Sequence, residues 1–342
     1  MGRPRWSGIA LALLLGLALP AAALAKQPAG SGSTATGQVF LPNPVATGGS
    51  PLLTDRKDAE YADLVAQYRT VKLTNLDGSG YLCGDYACVV SETGDPAYST
   101  SGEFIYGRND DRFEQVMGYY WVTQAQLYLQ SLGFGSRYPG INDEPQAIRI
   151  NQWGVDNSFA TTHPKDEMRF GKGGVDDAED GEVILHEYGH QIHFSQSATW
   201  FSSLEAGSIS EGFGDYWAFT VSEWVSGEQP DPACIAEWDA TSYDSTPANG
   251  ICLRRIDSDL TYPDDLLGEV HADGRIWSHA LYDIHQALGG AVADTIILNA
   301  QFGWTGTTMT DLATRTVAAA RQLYGRSAAA SVTDAFDARG IL

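Results

Sequence analysis

The chain has 342 residues, of which 43% are hydrophobic and 19% charged, a composition typical of a globular protein with room for two core-bearing lobes. Its formal net charge of −22 excludes nucleic acid and anionic membrane surfaces as favoured partners, because both would be repelled. The surplus of carboxylates suits an exposed, soluble protein that could also hold calcium.

The first 25 residues predict a secretory signal: two arginines precede a short apolar run, and Ala23-Leu24-Ala25 gives a small-x-small cleavage pattern. A membrane anchor is the alternative, but the run is short and no later stretch is long enough to span. We therefore expect cleavage near Ala25 and a secreted or periplasmic protein without a membrane anchor. Residues 26–50 are rich in Gly, Ser, Thr, Ala and Pro and predict a flexible leader.

Four cysteines in an exported chain predict two disulfides, for which three pairings exist. We expect the local pairing, in which Cys83 bonds Cys88 and Cys234 bonds Cys252. A zinc–thiolate site is not favoured, since the chain has no Cys-x-x-Cys.

The half of the chain before His190 mixes predicted strands and helices. Short β-prone pieces over residues 71–90 alternate with turn residues, so we expect antiparallel strands there. A helix is predicted from Asp111 to Gly133 and a strand over residues 146–152. The half after His190 is nearly all helix, with predicted helices over residues 204–225, 268–288, 290–302 and 308–325 and a short one before Gly340.

Four carboxylates precede the helix that follows this strand region: Asp176, Asp177, Glu179 and Asp180. Carboxylates at a helix N-terminus are stabilised by the helix macrodipole. Several hard oxygen ligands close together are equally typical of a calcium site. The sequence leaves both explanations open.

Residues 183–192 contain the pattern His-Glu-x-x-His. Because residues i and i+4 of a helix lie on one face, His186 and His190 can direct two imidazole nitrogens at one metal ion. Glu187 would lie beside that ion without binding it, which suits a general base acting on an activated water. The chain has only 7 histidines, so a chance match is about a one-in-a-hundred event.

A catalytic zinc keeps three protein ligands and one open position, so a third ligand is required. The metzincin pattern would need a histidine where this chain has Gln196. The other standard solution is a glutamate on a following helix, and Glu211 stands in that position. Asp215 lies one turn further on and could accept the free N–H of a zinc histidine.

Residues 205–215 resemble the glutamate-zincin signature of thermolysin and the fungalysins, and residues 269–277 are especially similar to fungalysins. The resemblance extends from about Asn157 to the C-terminus. It implies an α+β, two-lobed thermolysin-like metallopeptidase. A mixed N-terminal lobe with antiparallel strands would span residues 51–197 and include the His-Glu-x-x-His helix. A mainly helical C-terminal lobe would span residues 198–342, with the zinc cleft between the two.

Position by position, the resemblance implies that His186, His190 and Glu211 bind zinc and that Glu187 is the base and proton shuttle. It also implies that Asp215 orients His186 and that His271 stabilises the oxyanion. For substrate binding, the resemblance implies that the edge-strand pair Asn157 and Ser158 holds the substrate backbone. Arg254 would bind the residue after the cut, with Arg255 as the alternative. Val183 and Leu253 would form two apolar walls of the pocket.

Two departures from the family pattern stand out. The tyrosine that assists the oxyanion in thermolysin falls near Phe201 or Ser202 here, so we expect stabilisation to depend more on His271. Between the expected signal and the first lobe, no segment matches the large propeptide of the family. Four other histidines have no predicted role and are expected on the surface or hydrogen-bonded: His163, His193, His279 and His285.

These features predict a secreted, monomeric zinc endopeptidase that hydrolyses peptide bonds through a zinc-activated water. Peptides or proteins are the expected partners, one zinc ion the expected cofactor, and calcium a candidate second ion. Apolar walls at Val183 and Leu253 predict a preference for bulky apolar residues after the cut. A catalytically inactive binding or scaffold protein on the same fold and an exopeptidase are the alternatives.

Overall fold

The computed structural model describes residues 33–49, 53–90, 94–163, 166–243 and 252–342. The expected signal peptide and its cleavage site lie outside these residues. Residues Ser31–Leu342 form one compact unit. A search of the described part of the chain finds no helix with the length and apolar character that crossing a membrane requires.

The described residues form nine strands: β1 (Ser33–Val39), β2 (Arg69–Leu76), β3 (Ala87–Val89), β4 (Glu103–Phe104), β5 (Gln146–Arg149), β6 (Phe159–Thr161), β7 (Glu167–Arg169), β8 (Cys234–Ile235) and β9 (Arg254–Arg255). They build sheets with the strand orders β2-β1-β4, β3-β5-β7-β6 and β8-β9. Both larger sheets are mixed, since β1 and β4, β3 and β5, and β5 and β7 run parallel.

The same residues form ten helices: α1 (Pro44–Gly48), α2 (Ala62–Val65), α3 (Arg112–Ser131), α4 (Gly181–Gln196), α5 (Leu204–Ser226), α6 (Glu237–Ala240), α7 (Val270–Leu288), α8 (Gly290–Gln301), α9 (Met309–Tyr324) and α10 (Arg326–Ala338). A 3₁₀ helix, Asp177–Glu179, precedes α4. The predicted long helices are confirmed, and their ends follow local chemistry. Ser203 caps α5 by accepting from the Ala206 N–H at 3.0 Å, and α7 ends at Gly289, whose φ is 78°.

The prediction of antiparallel strands over residues 71–90 is only partly right. Strand β2 pairs antiparallel with β1, but β3 pairs parallel with β5. Helix α3 lies between β3 and β5 in the chain and returns it to the same end of the sheet, which is the connection that parallel pairing needs. Residues 82–89 do turn back on themselves, with an antiparallel bridge between Cys83 and Cys88, before α3 carries the chain over to β5.

The prediction of a flexible leader over residues 26–50 is wrong for its described part. Strand β1 buries alternate residues, including Ala35 and Val39, and α1 follows it. A Cβ on Gly37 would lie 2.8 Å from Val116 Cγ1 and 3.0 Å from Leu73 Cδ1. The small residues that suggest a linker are small because β1 lies directly against its neighbours.

Three helices carry the site and pack closely against one another, α5 lying between α4 and α7. A Cβ on Gly189 of α4 would lie 3.0 Å from the Cα of Gly214 on α5. A Cβ on Gly212 would lie 2.2 Å from the Gly274 carbonyl oxygen of α7. The helix backbones can approach this closely only because glycine stands at these contacts.

Both disulfides form with the predicted local pairing. Cys83 is bonded to Cys88, and Cys234 at the start of β8 is bonded to Cys252, which precedes β9. The second bond closes the excursion between β8 and β9, and β9 carries one of the residues of the site described below.

Candidate active site

Helix α4 begins where the side chain of Asp180 caps it, accepting from the Glu182 N–H at 2.9 Å. One helical turn separates His186 from His190, so the two rings lie on one face, with centroids 4.8 Å apart. Both histidines are buried. The spacing in the sequence thus brings the two imidazoles together as a local property of one helix.

Glu211 on α5 faces both histidines. Its Oε2 lies 3.1 Å from His186 Nε2, and its Oε1 lies 3.6 Å from His190 Nε2. One possible ligand atom from each of the three residues lies within 4.8 Å of the other two. We call His186, His190 and Glu211 the metal triad.

The outer ring nitrogens of the metal triad are held by other side chains. His186 Nδ1 lies 2.8 Å from Asp215 Oδ1, and His190 Nδ1 lies 2.9 Å from Ser210 Oγ. When each Nδ1–H donates to its partner, the lone pairs of both Nε2 atoms face Glu211. Two imidazoles and one carboxylate, oriented in this way, fit a zinc ion.

Ser210 also links the metal triad to His193, a residue without a predicted role. Its Oγ lies 3.0 Å from His193 Nδ1 as well as 2.9 Å from His190 Nδ1. A hydroxyl carries one proton, so if it accepts from His190 it donates to His193. The His193 ring is fixed between Trp200 and Phe213, at centroid distances of 3.7 and 4.3 Å. No spacing rule points to Ser210 or His193, and sequence reasoning missed both.

The charges of the metal triad favour metal binding. Burial would raise the pKa of Glu211, but His190 and His186 lower it to about 2, so the carboxylate is ionised at neutral pH. Burial lowers the pKa of His190 to about 4. Burial would likewise lower the pKa of His186, but hydrogen bonds that its ring donates to Asp215 and Glu211 raise it to about 10. A metal ion would compete with that one remaining proton.

Glu187 lies beside the metal triad and is itself buried. Its Oε2 has no hydrogen-bond partner among the described residues. Burial raises the pKa of this carboxyl to about 8. An ionisable group with a free oxygen and a pKa near neutrality is suited to take up and release a proton.

The remaining sequence-predicted residues line two cavities that share Glu187, His186, His271, Asn157 and Ser158. The first has a volume of about 600 Å³, including its part open to solvent, and Val183, Leu253 and Arg254 also line it. The second, of about 770 Å³, is lined by Glu211 and Phe201 among others. The cleft therefore continues on both sides of Glu187.

His271 lies at the N-terminus of α7 and faces both cavities. Its Nε2 lies 3.4 Å from Glu211 Oε2, and its Nδ1 lies 2.6 Å from Glu269 Oε1. Phe201 lines the second cavity, where it has no hydroxyl to donate. With Nδ1 engaged by Glu269, Nε2 is the ring nitrogen of His271 that faces the metal triad.

The structure distinguishes the two candidate arginines. Arg254 lines the first cavity and binds Asp215 through two bonds of 2.7 Å. Arg255 pairs instead with Asp231 and Asp257, each at 2.7 Å. Adjacent residues of a strand point to opposite faces, so only Arg254 reaches the cleft.

The four carboxylates before α4 do not converge on one point. Asp180 caps the helix, as the macrodipole explanation predicts. Glu179 lies 2.8 Å from the buried Arg108, and Asp176 lies 3.5 Å from Lys172. Only Asp177 lines the first cavity.

In that cavity Asp177 meets two carboxylates that sequence reasoning missed, Asp156 from the β5–β6 loop and Asp239 from α6. One oxygen from each of the three lies within 4.8 Å of the other two. We call these three residues the pocket floor. The predicted apolar walls line this cavity, and the three carboxylates line it as well.

The other histidines without a predicted role lie as expected. His163 is exposed. His279 Nδ1 lies 2.7 Å from the Ser258 carbonyl oxygen, and His285 Nε2 lies 3.0 Å from Glu223. None of the three lines either cavity of the cleft.

Comparison with solved structures finds a similar fold in the precursor of protealysin, a metalloproteinase from Serratia proteamaculans. The two chains superpose with a TM-score of 0.60 and 17% sequence identity, over 75% of this chain and 88% of that chain. At this level of identity, the likeness concerns the fold.

Among curated proteins, the chain is similar to extracellular metalloproteinases of Trichophyton species. It is 24% identical over 182 residues to "Probable extracellular metalloproteinase 4" of Trichophyton verrucosum. The aligned residues cover 42% of this chain and 28% of that protein. It is 27% identical over 108 residues to "Extracellular metalloproteinase 2" of Trichophyton tonsurans, covering 30% of this chain and 17% of that protein. These matches span less than a third of the relatives' own length.

The model of the fungalysin metallopeptidase (M36) family matches residues 119–340, a stretch that contains strands β5 to β9 and helices α4, α5 and α7. This is well over half of the chain and includes the metal triad, Glu187 and His271. The chain belongs to the fungalysin metallopeptidase family.

Proposed function

We propose that this protein is a secreted zinc-dependent endopeptidase. The observation that carries the proposal is the metal triad, in which two imidazoles with fixed Nδ1 atoms and one ionised carboxylate face a common point. We further propose that the cleft separates an N-terminal α+β lobe, residues 51–197, from a helical C-terminal lobe, residues 198–342. Family membership supports the activity, and the names of the fungal relatives support export.

His186, His190 and Glu211 would hold the zinc ion. When bound there, zinc supplies Lewis acidity, which polarises a carbonyl group and makes a water molecule more acidic. Asp215 and Ser210 keep the two imidazoles in the tautomer that leaves Nε2 free, so the ligand set needs little rearrangement.

Glu187 is the general base in this proposal. Its unpartnered Oε2 removes a proton from the attacking water and then delivers that proton to the leaving amine nitrogen. Because the carboxyl is buried, the same group can release and recover a proton near neutral pH. Its position in both cavities supports a role between the two halves of the substrate.

The other cleft residues bind the substrate or stabilise the transition state. The Nε2–H of His271 donates to the negative charge that develops on the carbonyl oxygen, a contact that strengthens only in the transition state. Asn157 and Ser158 hold the substrate backbone beside β6, and Arg254 binds the backbone carbonyl of the residue after the cut. Val183 and Leu253 support a bulky apolar side chain at that residue.

An open cleft on both sides of Glu187 favours internal cleavage over removal of end residues. The test uses internally quenched peptides blocked at both ends, with zinc, with chelator, and with zinc restored. We expect cleavage that the chelator abolishes and zinc restores. An exopeptidase would leave doubly blocked peptides intact, and an inactive scaffold would leave all peptides intact.

Glu187→Gln tests the role of the base. We expect this variant to bind one zinc ion per chain and unfold at the wild-type temperature, yet to lose about 10²–10⁴-fold in turnover, the usual value of general-base assistance. A Glu187→Gln enzyme that keeps more than a tenth of the wild-type rate would contradict the mechanism.

A further inference from the structure

The pocket floor lines the first cavity and comes from three separate segments. Asp156 belongs to a loop, Asp177 to the 3₁₀ helix and Asp239 to α6, and one oxygen of each lies within 4.8 Å of the others. Asp177 is 2% exposed and Asp239 is 4% exposed, whereas Asp156 is half-buried. Three carboxylates this close, two of them buried, repel one another strongly unless something compensates them.

Part of this charge has no partner in the protein. The Ser158 hydroxyl donates to Asp177 Oδ2, and the Tyr243 hydroxyl donates to Asp156 Oδ1 at 2.8 Å. However, Oδ1 of Asp177 and Oδ1 of Asp239 are buried without a hydrogen-bond partner in the described residues. Both residues line the cavity, so a cationic donor inside it could reach these oxygens.

The described residues also place no cation at the pocket floor. Two basic side chains of neighbouring segments are engaged elsewhere: Arg254 by Asp215 at 2.7 Å, and Lys172 by Asp111 at 2.8 Å. Residues 244–251, which follow Tyr243 in the chain, contain no lysine, arginine or histidine. Burial, together with the charge of Asp156, raises the pKa of Asp177 to about 7, as expected of a carboxyl lacking a cation.

The cavity that holds the pocket floor also has an apolar lining. Val183, Leu253 and Ile235 line it together with Glu187 and His271. A side chain that occupies this cavity can therefore contact both aliphatic groups and carboxylates. Lysine and arginine suit such a lining, since an aliphatic stem carries their charge.

We propose that the pocket floor binds the cationic end of a substrate side chain, so that the enzyme cuts preferentially before arginine or lysine. This inference rests on the proposed endopeptidase function and is an alternative to the preference for bulky apolar residues predicted from the sequence. The aliphatic stem packs against Val183 and Leu253, as the sequence predicts for the walls. The charge beyond the stem meets Asp156, Asp177 and Asp239.

A divalent cation is the competing occupant, because carboxylates are calcium ligands. Two observations favour the side chain. The cavity, of about 600 Å³ including its part open to solvent, extends beyond the three carboxylates to Glu187. Its aliphatic walls would contribute nothing to an ion, whereas they suit a stem of methylene groups.

The first experiment compares four blocked, internally quenched peptides that differ only at the residue after the cut: arginine, citrulline, leucine or glutamate. Citrulline matches arginine in shape and lacks its charge. We expect kcat/KM to be about tenfold to a hundredfold higher for arginine than for citrulline, the range for a hydrogen bond to a charged group. We expect glutamate to be the poorest of the four. Because all rates come from the wild-type enzyme, this comparison does not depend on the folding of a variant.

The second experiment uses Asp177→Asn and Asp239→Asn with Asp176→Asn as the matched control. Asp176 is the adjacent carboxylate, equally buried at 2% exposure, but it does not line the cavity. We expect the arginine-to-citrulline ratio to fall about tenfold in the first two variants and to stay unchanged in the control. The ratio is independent of the amount of active enzyme.

The outcomes separate the two proposals. If the wild type cuts none of the peptides in the presence of zinc, the endopeptidase function fails. If it cuts leucine and citrulline peptides as fast as arginine peptides, the function stands and the floor proposal is wrong. Calorimetric titration with calcium chloride tests whether a calcium ion binds at the pocket floor instead. Calcium binding that Asp177→Asn abolishes, together with no arginine preference, would also overturn the proposal.

Discussion

The metal triad and the pocket floor are two groups of buried charged residues in one cleft, and they differ in how the protein compensates them. In the metal triad, Asp215 and Ser210 hold the Nδ1 atoms of His186 and His190 at 2.8 and 2.9 Å. At the pocket floor, two carboxylate oxygens are buried without a hydrogen-bond partner in the described residues.

The metal triad and the pocket floor are therefore suited to different ligands. A buried ionisable group is costly unless it is paired, so the protein either supplies the partner or leaves the group for a ligand. At the metal triad the partners fix the tautomer and leave only the ligand atoms free, which suits a permanent metal ion. At the pocket floor the partner must come from outside, which suits a side chain that enters and leaves with each substrate.

The largest effect is expected from a substitution that removes one member of the metal triad. Glu211→Ala removes the one carboxylate among the three proposed ligands, and we expect the variant to lose zinc occupancy and nearly all turnover. Zinc content by mass spectrometry after gel filtration measures this. Zinc retained at full affinity in Glu211→Ala would move the third ligand elsewhere.

A smaller effect is expected when only the orienting partners change. Asp215→Asn and Ser210→Ala leave all three proposed ligands in place, so we expect zinc to remain bound with an affinity or activity about 10–100-fold lower. Competition with a zinc chelator of known affinity provides the measurement. The matched control is Ser208→Ala, because the Ser208 hydroxyl donates to the Leu204 carbonyl oxygen of its own helix and not to a histidine. Equal losses in Ser210→Ala and Ser208→Ala would contradict an orienting role.

The smallest expected effect is a pH dependence that separates the two groups in metal-free protein. Burial raises the pKa of Asp177 to about 7, so between about pH 4 and pH 7 the folded protein keeps a proton that the unfolded chain releases. The free energy of unfolding should therefore fall as the pH rises through this window. Glu211, with a pKa of about 2, is ionised throughout in the folded protein, so it adds a slope of the opposite sign, and only at the low end of the window, where an unfolded glutamate still binds a proton.

Urea unfolding in chelator at about pH 5 and pH 7 checks this prediction. We expect a lower free energy of unfolding at the higher pH, and a smaller difference between the two values in Asp177→Asn. An unchanged difference in that variant would show that Asp177 ionises normally in the folded protein.

The parts of the fold and site that could be predicted from the sequence depend on local patterns. Caps and glycine stops define α5 and α7, and the i, i+4 spacing of His186 and His190 needs only one helix. Glu211 could be found because a third zinc ligand is required, and the helix that follows the His-Glu-x-x-His helix is the nearest element that can supply it. Each inference used neighbours in the chain or one short connection.

The pocket floor could not be found in this way. Asp156, Asp177 and Asp239 come from three segments, and nothing in their local sequence shows that they meet. Asp177 looked like one of four carboxylates at a helix start, and only the fold separates it from Asp180, which caps α4. Strand β1 was misread for a similar reason, since the close contacts of Gly37 with Val116 arise only in the folded protein.

The position of bound zinc tests most directly whether the metal triad is the metal site. We would crystallise the zinc-loaded protein and locate the metal by anomalous scattering at the zinc absorption edge. We expect one strong peak about 2.0–2.2 Å from Nε2 of His186, Nε2 of His190 and a carboxylate oxygen of Glu211, with no peak at the pocket floor. A peak coordinated by Asp156, Asp177 and Asp239, or a ligand set without Glu211, would contradict it.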